Sequence, residues 1–522
     1  MGTKHNLPHG RNSRWAVGIF AILCISASLL VPQSAFAAWS SDPDVNTAVC
    51  VYTGTQCRPQ VVNDGAGGFI VTWRDSTNNG IYAQRYNGDG DALWGAFGST
   101  VTSEYASQNE ATPDGEGGVI VSWYDGSDIY AQRLDADGDP MWTIDGVMVI
   151  EDDEDAWIAA DGEGGAIIMT YYGAVNRIAA DGSLPWGEPD DPVVYSPSGD
   201  CWAPKIVPDG AGGAILTWVE DSYTAVQRIN IDGDLLWGDG TNPLLLSETD
   251  DGECPRLVPD GHGGAIVIWM DDSDDWLWAQ KIDGAGDIVW TPGGELISTD
   301  YVYGDTIDLA YDMNGGAFIT WEDGDDDTGY AQYINASGDL VWNDKVQFSA
   351  YDDYDDTAQH PRKTVEDGQG GFITGWQNFS EQIMAQRIDA NGNILWDAGG
   401  TVLSNATSIN YGPRLASSGR GGAVAVWVDN RGLGTGQDIY MQGINGAGEL
   451  GAPKAGGGGT SGGTTVPDDI ANSLTTPDSD NDDKILGIEC FITAAGQSGA
   501  LFPLILAALT AGCAIIRKRF TR

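Results

Sequence analysis

The chain has 522 residues, of which 73 are glycine, 20 are tryptophan and 42% are hydrophobic, and this composition excludes a disordered polymer. Its formal net charge is −51, because 76 acidic side chains face 25 lysines and arginines. No acid lies in residues 1–38 or 499–522, so the middle of the chain carries all of the negative charge. Such a field repels nucleic acid and anionic lipid, which excludes nucleic-acid binding as a function.

The first 37 residues have the pattern of a signal peptide. Lys4, Arg11 and Arg14 form a basic region, residues 16–31 form an apolar core, and Ala35-Phe36-Ala37 is a small-residue cleavage site. We therefore predict cleavage before Ala38 and export of the mature chain.

The segment from Pro208 to Gly238 is one copy of a unit that occurs eight times. Each copy has an Asp-Gly-x-Gly-Gly element or a close variant of it, an apolar run, an acidic loop, a second glycine turn and, in seven copies, a closing tryptophan. The copies are 47 to 55 residues apart, measured between the second glycines of the Gly-Gly pairs, which are Gly68, Gly118, Gly165, Gly213, Gly264, Gly316, Gly371 and Gly422. A period of this length indicates repeated supersecondary units.

Each unit has room for four short antiparallel strands with glycine turns between them. A tryptophan follows the second glycine by five residues in every copy except the third, which has Thr170 and then Tyr171. The pattern predicts an all-β fold, a single eight-bladed β-propeller over residues 38–451. The eighth copy lacks the closing tryptophan, and Trp39 stands at the start of the mature chain. We expect the N-terminal segment to complete the last blade and close the ring.

The residues after the repeats change in composition. Residues 452–489 form a Gly/Ser/Thr-rich and then acidic linker, and residues 490–522 hold an apolar run, 500–516, followed by Arg517-Lys518-Arg519. This pattern predicts a transmembrane helix with the C-terminus inside. Asp478, Asp480 and Asp482 are a candidate Ca²⁺ site, the one cofactor suggested here, although a solvated acidic linker is the preferred interpretation.

Two resemblances accompany these patterns. The tail from Cys490-Phe491-Ile492 to the basic cluster resembles the C-terminal sorting tails of bacterial surface proteins, which implies membrane attachment and a sorting protease as a partner. Residues 39–450, with their Asp-Gly-x-Gly-Gly, Trp and Ala-Gln-Arg elements, resemble repeat families of secreted bacterial proteins. That resemblance implies a propeller and no particular activity.

Four cysteines lie in the repeat region, and export permits disulfides. Cys50 and Cys57 are close in sequence, while Cys201 and Cys254 occupy similar places in adjacent repeats, so these are the candidate pairs. Four cysteines allow three pairings, and the sequence does not choose among them.

In six copies an acid stands two residues after the tryptophan. We expect this acid to pair with the base that ends the third strand, as an exposed pair that contributes roughly 0–1 kcal/mol.

The eight copies provide an internal control, because features that recur are architectural and features on single loops are candidates for function. The loops that precede the first strand of a blade differ between copies and are rich in acids and aromatics. Because they all occupy the same place in the repeat, we expect them to share one face of the ring. A carbohydrate or cation ligand suits such side chains, and simple solvated loops are the alternative. The candidate ligand-binding residues are Asp153, Trp157, Trp202, Asp251, Tyr303, Asp305, Tyr354 and Tyr411.

We identify no catalytic motif: the chain has no H-E-x-x-H and no phosphate-binding loop, and His262 is predicted to be a surface residue. The leading hypothesis is a non-catalytic binding or adhesion propeller at the cell envelope, with a glycan or surface-protein ligand. The alternatives are a propeller enzyme that acts on polysaccharide through loop carboxylates, and a structural surface or matrix component.

Overall fold

The computed structural model describes residues 39–196, 201–240, 242–247, 252–325, 327–349, 363–378, 380–406, 412–431 and 436–453. These residues form eight four-stranded antiparallel sheets, and the predicted eight-bladed propeller is confirmed. The predicted signal peptide, the predicted linker with Asp478, Asp480 and Asp482, and the predicted C-terminal anchor lie outside the described residues. Within the described part, no helix is long and apolar enough to cross a membrane.

The sheets are numbered as blades in chain order. Blade 1 contains β2 (Gln56–Asn63), β3 (Phe69–Asp75), β4 (Gly80–Tyr86) and β5 (Ser99–Thr102). Blade 2 contains β6 (Ser107–Pro113), β7 (Val119–Tyr124), β8 (Ile129–Leu134) and β9 (Val147–Ile150). Blade 3 contains β10 (Ala156–Ala160), β11 (Ala166–Thr170), β12 (Ala174–Ile178) and β13 (Val193–Val194). Blade 4 contains β14 (Cys201–Pro208), β15 (Ala214–Glu220), β16 (Tyr223–Ile229) and β17 (Leu244–Leu245).

The second half of the chain continues in the same way. Blade 5 contains β18 (Gly252–Pro259), β19 (Ala265–Asp271), β20 (Trp276–Ile282) and β21 (Glu295–Ser298). Blade 6 contains a 3₁₀ turn (Gly304–Thr306), β22 (Asp308–Tyr311), β23 (Ala317–Asp323), β24 (Thr328–Ile334) and β25 (Val346–Gln347). Blade 7 contains β26 (Lys363–Glu366), β27 (Gly371–Gln377), β28 (Ile383–Asp389) and β29 (Thr401–Ser404). Blade 8 contains β30 (Arg414–Ser417), β31 (Ala423–Asp429), β32 (Asp438–Ile444) and, from the N-terminus, β1 (Thr47–Cys50).

Antiparallel order gives the propeller two distinct faces. The turns between first and second strands and those between third and fourth strands emerge together, and we call this side the turn face. The hairpins between second and third strands emerge on the opposite side with the connections between blades, and we call this side the loop face. The variable loops singled out in the sequence therefore share the loop face, while the Asp-Gly-x-Gly-Gly turns share the turn face.

Neighbouring blades are joined by the tryptophan near the start of each fourth strand. Its indole N–H donates to a backbone carbonyl in the glycine turn of the next blade, as Trp94 does to Ala136 at 2.9 Å. Its ring lies against a glycine of that turn: a Cβ on Gly138, whose φ is +84°, would stand 2.8 Å from the ring of Trp94. The same hydrogen bond recurs at 2.8 to 3.5 Å from Trp142, Trp186, Trp237, Trp290, Trp342 and Trp396.

The eighth such bond comes from the N-terminus. The indole N–H of Trp39 donates to Gly88 of blade 1 at 3.3 Å, and its ring packs on Gly90. The segment that follows is held between blades 7 and 8, because the Asn46 amide donates to Leu403 at 2.8 Å and the Arg431 guanidinium donates to Asn46 at 2.7 Å. Blade 8 thus takes one strand from the start of the chain and three from its end.

The prediction of ion pairs within each hairpin is wrong about the acid that pairs with the base. Arg85 at the end of the third strand pairs with Asp64 of the Asp-Gly turn at 2.8 Å. The register explains this, because Arg85 lies opposite Ile70 near the turn face, whereas Asp75 lies opposite Gly80 at the loop face. Equivalent pairs with the turn aspartate are formed by Arg133, Arg177, Arg228, Lys281 and Arg387.

The turn aspartate also shapes its own turn. In blade 4 the Asp209 Oδ1 accepts the backbone N–H groups of Ala211 and Gly213, and its Oδ2 accepts Arg228. In blade 8 both residues of the ion pair are replaced: Ser418 stands in place of the turn aspartate, and Gly443 stands in place of the arginine on the third strand. The paired replacement indicates that the two positions act as one structural unit.

The structure forms no disulfide among its described residues, so neither predicted pair is present. Strand register explains why Cys201 and Cys254 do not pair. Cys201 lies opposite Glu220 in blade 4, and the equivalent place in blade 5 is taken by Gly252, opposite Asp271. Cys254 lies two residues further along, at an irregularity of the strand. Cys50 belongs to blade 8 and Cys57 to blade 1. Burial, with the charges of Asp75 and Asp438, raises the pKa of the Cys50 thiol to about 12.

Replacing Arg228 by alanine leaves Asp209 buried without its cation. We expect the free energy of unfolding to fall by about 3 kcal/mol, because breaking a buried ion pair strands a charge. The matched control is Arg420→Ala, since Arg420 is an exposed turn residue, and this change should cost less than about 0.5 kcal/mol. Chemical denaturation at constant pH measures both, and equal losses would contradict the structural role of the pair.

Candidate functional site

An exposed aromatic group lies on the loop face where blades 3 and 4 meet. Trp202, at the start of β14, is 55% exposed, and Tyr172, in the hairpin between β11 and β12, is 50% exposed. Tyr171 lies between them, with its ring centroid 5.9 Å from that of Trp202 and 5.4 Å from that of Tyr172. Both contacts are edge-to-face, at 74° and 87°, so the three rings form a corner with differently oriented faces. We call these three residues the aromatic corner.

Two carboxylates border the aromatic corner. The Tyr172 hydroxyl donates to Glu154 at 3.0 Å, and the hydrogen bond and charge of Glu154 raise the pKa of Tyr172. Asp153 is buried and accepts hydrogen bonds from the Thr170 hydroxyl at 2.6 Å and from the Glu154 backbone N–H at 2.8 Å. Desolvation raises the pKa of Asp153 to about 6, despite these hydrogen bonds.

The departure of the third repeat from the common pattern builds this site. Thr170 stands where other blades have tryptophan, and its hydroxyl holds Asp153 from the acidic loop. The chain then turns through Tyr171, Tyr172 and Gly173, whose φ of +87° favours glycine. Tyr171 and Tyr172 were not among the predicted site residues, although the break at Thr170 was the signal that marked them.

Trp157 does not belong to the exposed loops. It lies in β10, is only 3% exposed and packs among Ala159, Met169 and Trp218 between blades 3 and 4. The strand begins directly after the acidic loop, so its second residue already faces the neighbouring blade. The Lys205 ammonium lies 5.7 Å from the centre of the Trp157 ring.

Tyr303 and Asp305 lie in a second group, at the junction of blades 5 and 6. Tyr303 directly precedes the 3₁₀ turn that contains Asp305, and its ring stands 5.3 Å from that of Tyr301 at 67°. Burial raises the pKa of Tyr303, and the charges of nearby acids, which include Asp327 and Asp325, raise this pKa further. The structure thus places the predicted residues at two junctions. Asp251, Tyr354 and Tyr411 lie outside the described residues.

A cavity of about 840 Å³ opens on the turn face, among the Asp-Gly turns of blades 2 to 5. Its acids Asp114, Asp161 and Asp209 are already engaged by backbone N–H groups and arginines. His262 lines it as an exposed residue, as predicted, and its Nδ1 donates to the Asp260 carbonyl at 3.0 Å. In the described ranges, no group of three or more His, Cys, Asp or Glu side chains is placed to hold a metal ion.

No family model and no curated protein matches this chain. Solved structures that are similar include one described as the eukaryotic initiation factor, 11% identical with a TM-score of 0.43, covering 78% of this chain and 89% of that one. The BP39L lectin from Burkholderia pseudomallei is 12% identical with a TM-score of 0.42, covering 68% and 100%. Porphyromonas gingivalis dipeptidyl peptidase 4 is 12% identical with a TM-score of 0.44, covering 77% and 60%. Likeness at this level carries no information on ligand or activity.

The raised pKa of Asp153 predicts a pH-dependent stability. A carboxyl whose folded pKa exceeds its unfolded value destabilises the native state at neutral pH, and this cost disappears as pH falls through the folded pKa. Asp153→Asn should therefore stabilise the protein at pH 7.5, and its advantage should shrink by about 2 kcal/mol on going to pH 4.5. Denaturant titrations of both proteins at the two pH values measure this, and a pH-independent difference would show that Asp153 keeps an ordinary pKa.

Proposed function

We propose that this chain is an exported, non-catalytic binding propeller whose ligand surface is the loop face at blades 3 and 4. The observation that carries the proposal is the exposure of Trp202 and Tyr172 beside Glu154. Large aromatic side chains are normally covered in a folded protein, and their grouping with a polar side chain is typical of a recognition site. The common repeat pattern does not require either residue, since the equivalent places differ from blade to blade.

The use of carboxylates supports binding over catalysis. The aspartates at the turn-face cavity hold turns and arginines, and Asp153 holds Thr170 and the loop backbone. A polysaccharide-cleaving enzyme needs two carboxyl groups that face a common substrate bond. The polysaccharide enzyme stays the alternative, and a structural surface component is the second alternative.

We further propose a cell-envelope location. Residues 1–37 would direct export, the N-terminal strand would close the ring, and residues 490–522 would anchor the chain before any processing by a sorting protease. The pairing of β1 with β32 and the contact of Trp39 with blade 1 support the closure. The charge pattern of the sequence supports export and anchoring.

Removal of the two exposed rings tests the proposed function. The double variant Trp202→Ala, Tyr172→Ala should lose at least about tenfold in affinity for ligands found on a panel of glycans and surface proteins, because exposed aromatic anchors dominate such contacts. Phe97→Ala is the matched control, since Phe97 is 71% exposed but lies between β4 and β5 of blade 1, and this change should leave binding unchanged.

Equal binding by the double variant and the wild type would overturn the assignment of the ligand surface. Release of hydrolysis or lyase products from a polysaccharide panel by the wild-type protein would overturn the non-catalytic assignment and favour the enzyme.

A further inference from the structure

The aromatic corner does not form one flat platform, because the Tyr171 ring is steeply inclined to the other two rings. Tyr171 is nearly perpendicular to both Trp202 and Tyr172, with centroids 5.4 to 5.9 Å apart. Ring faces are negative and ring edges are positive, so a compact cation gains from faces that approach it from several sides. A pyranose ring gains most from one open face, with hydrogen-bonding groups at its rim. The geometry of the corner therefore favours a small, nearly spherical cation.

The charge around the aromatic corner has one sign. Residues 151–155 read Glu-Asp-Asp-Glu-Asp, and Glu154 is in direct contact with the Tyr172 hydroxyl. Between residues 148 and 204 the sequence contains a single base, Arg177, which is bonded to Asp161 and Glu163 on the turn face. Lys205 follows directly but is only 1% exposed. A cation that approaches the loop face here meets carboxylates and ring faces, with no solvent-exposed base in this stretch to repel it.

The chain already holds two of its own cations in this way. The Lys345 ammonium lies 3.7 Å from the centre of the Tyr330 ring and bonds to Asp300 at 2.6 Å and Asp323 at 2.9 Å. The Arg431 guanidinium lies 4.3 Å from the centre of the Tyr440 ring and bonds to Asp429 at 2.6 Å. Both are at the loop-face ends of their blades, so an aromatic ring with adjacent carboxylates is one arrangement by which this face holds positive charge.

We propose that the aromatic corner of Tyr171, Tyr172 and Trp202, with Glu154 beside it, binds a trimethylammonium group. A primary ammonium is strongly hydrated and needs several hydrogen-bond acceptors, as Lys345 finds in two aspartates. A trimethylammonium group has no N–H, so it loses little on leaving water and gains contact with each ring face. The proposal rests on the proposed function, because it names the chemical class that the same surface recognises.

A matched pair of small probes tests the proposal by calorimetric titration of the intact protein. Choline carries the charged trimethylammonium group, and 3,3-dimethylbutan-1-ol has the same shape with a neutral carbon in place of nitrogen. Choline should bind with a dissociation constant of about 1 mM or tighter, at least about tenfold better than the neutral isostere, and its affinity should fall as salt rises. Equal binding of both probes would overturn the proposal, and so would the absence of choline binding at about 10 mM, which is ten times the expected dissociation constant.

Variants then locate the site. Trp202→Ala should reduce choline affinity at least about tenfold, and Glu154→Gln, which keeps a hydrogen-bond acceptor for Tyr172, should reduce it several-fold because it removes a charge. Phe97→Ala should leave it unchanged. If Trp202→Ala loses binding of a neutral glycan while choline never binds, the cation inference fails and the proposed function stands. If neither choline nor any panel ligand depends on Trp202, both fail.

Discussion

The structure depends on one contact that is made at every junction between blades. A tryptophan near the start of a fourth strand packs its ring on a glycine turn of the next blade and donates its N–H to a carbonyl of that turn. The glycine is favoured because its φ is positive and because a Cβ would lie only 2.6 to 3.3 Å from the nearest atom of the tryptophan ring. Each contact covers much of a large apolar ring and gives its N–H donor a hydrogen-bond acceptor at the same time. This explains why tryptophan and glycine recur together through the chain.

The N-terminus obeys the same rule. Trp39 makes with blade 1 the contact that the missing tryptophan of the eighth copy would make. The adjoining residues are held by Asn405, which bonds to the backbone of Pro43, and by Arg431. Since blade 8 combines β1 with β30 to β32, its stability and the junction with blade 1 depend on residues almost four hundred positions apart. Such long-range contacts have a high entropic cost of closure, which the buried tryptophan helps to offset.

The number of blades and their four strands were predictable, because period and turn chemistry repeat eight times in the sequence. The partner of Arg85 was not, since spacing along the chain does not tell which end of a hairpin a side chain reaches. Trp157 was assigned to a loop because it follows a run of acids, yet the register of β10 buries it. The aromatic corner was half predicted: Trp202 was identified from its loop, but its contact with Tyr171 comes from the adjacent blade and appears only in three dimensions.

We expect function where the sequence of a blade departs from the pattern that the eight repeats share. Blade 3 has Thr170 where other blades have a buried tryptophan. The Thr170 hydroxyl donates to Asp153, and the hairpin that follows exposes Tyr172. The scaffold tolerates the exchange because the junction of blades 3 and 4 keeps its fourth-strand contact, from Trp186 to Ile231.

Hydrogen exchange of the Trp39→Ala variant tests the dependence on these junction contacts most directly. The account predicts loss of protection in blade 8 and blade 1, the two blades that Trp39 joins, with blades 3 to 6 unchanged. Unchanged protection in blades 8 and 1 would contradict it.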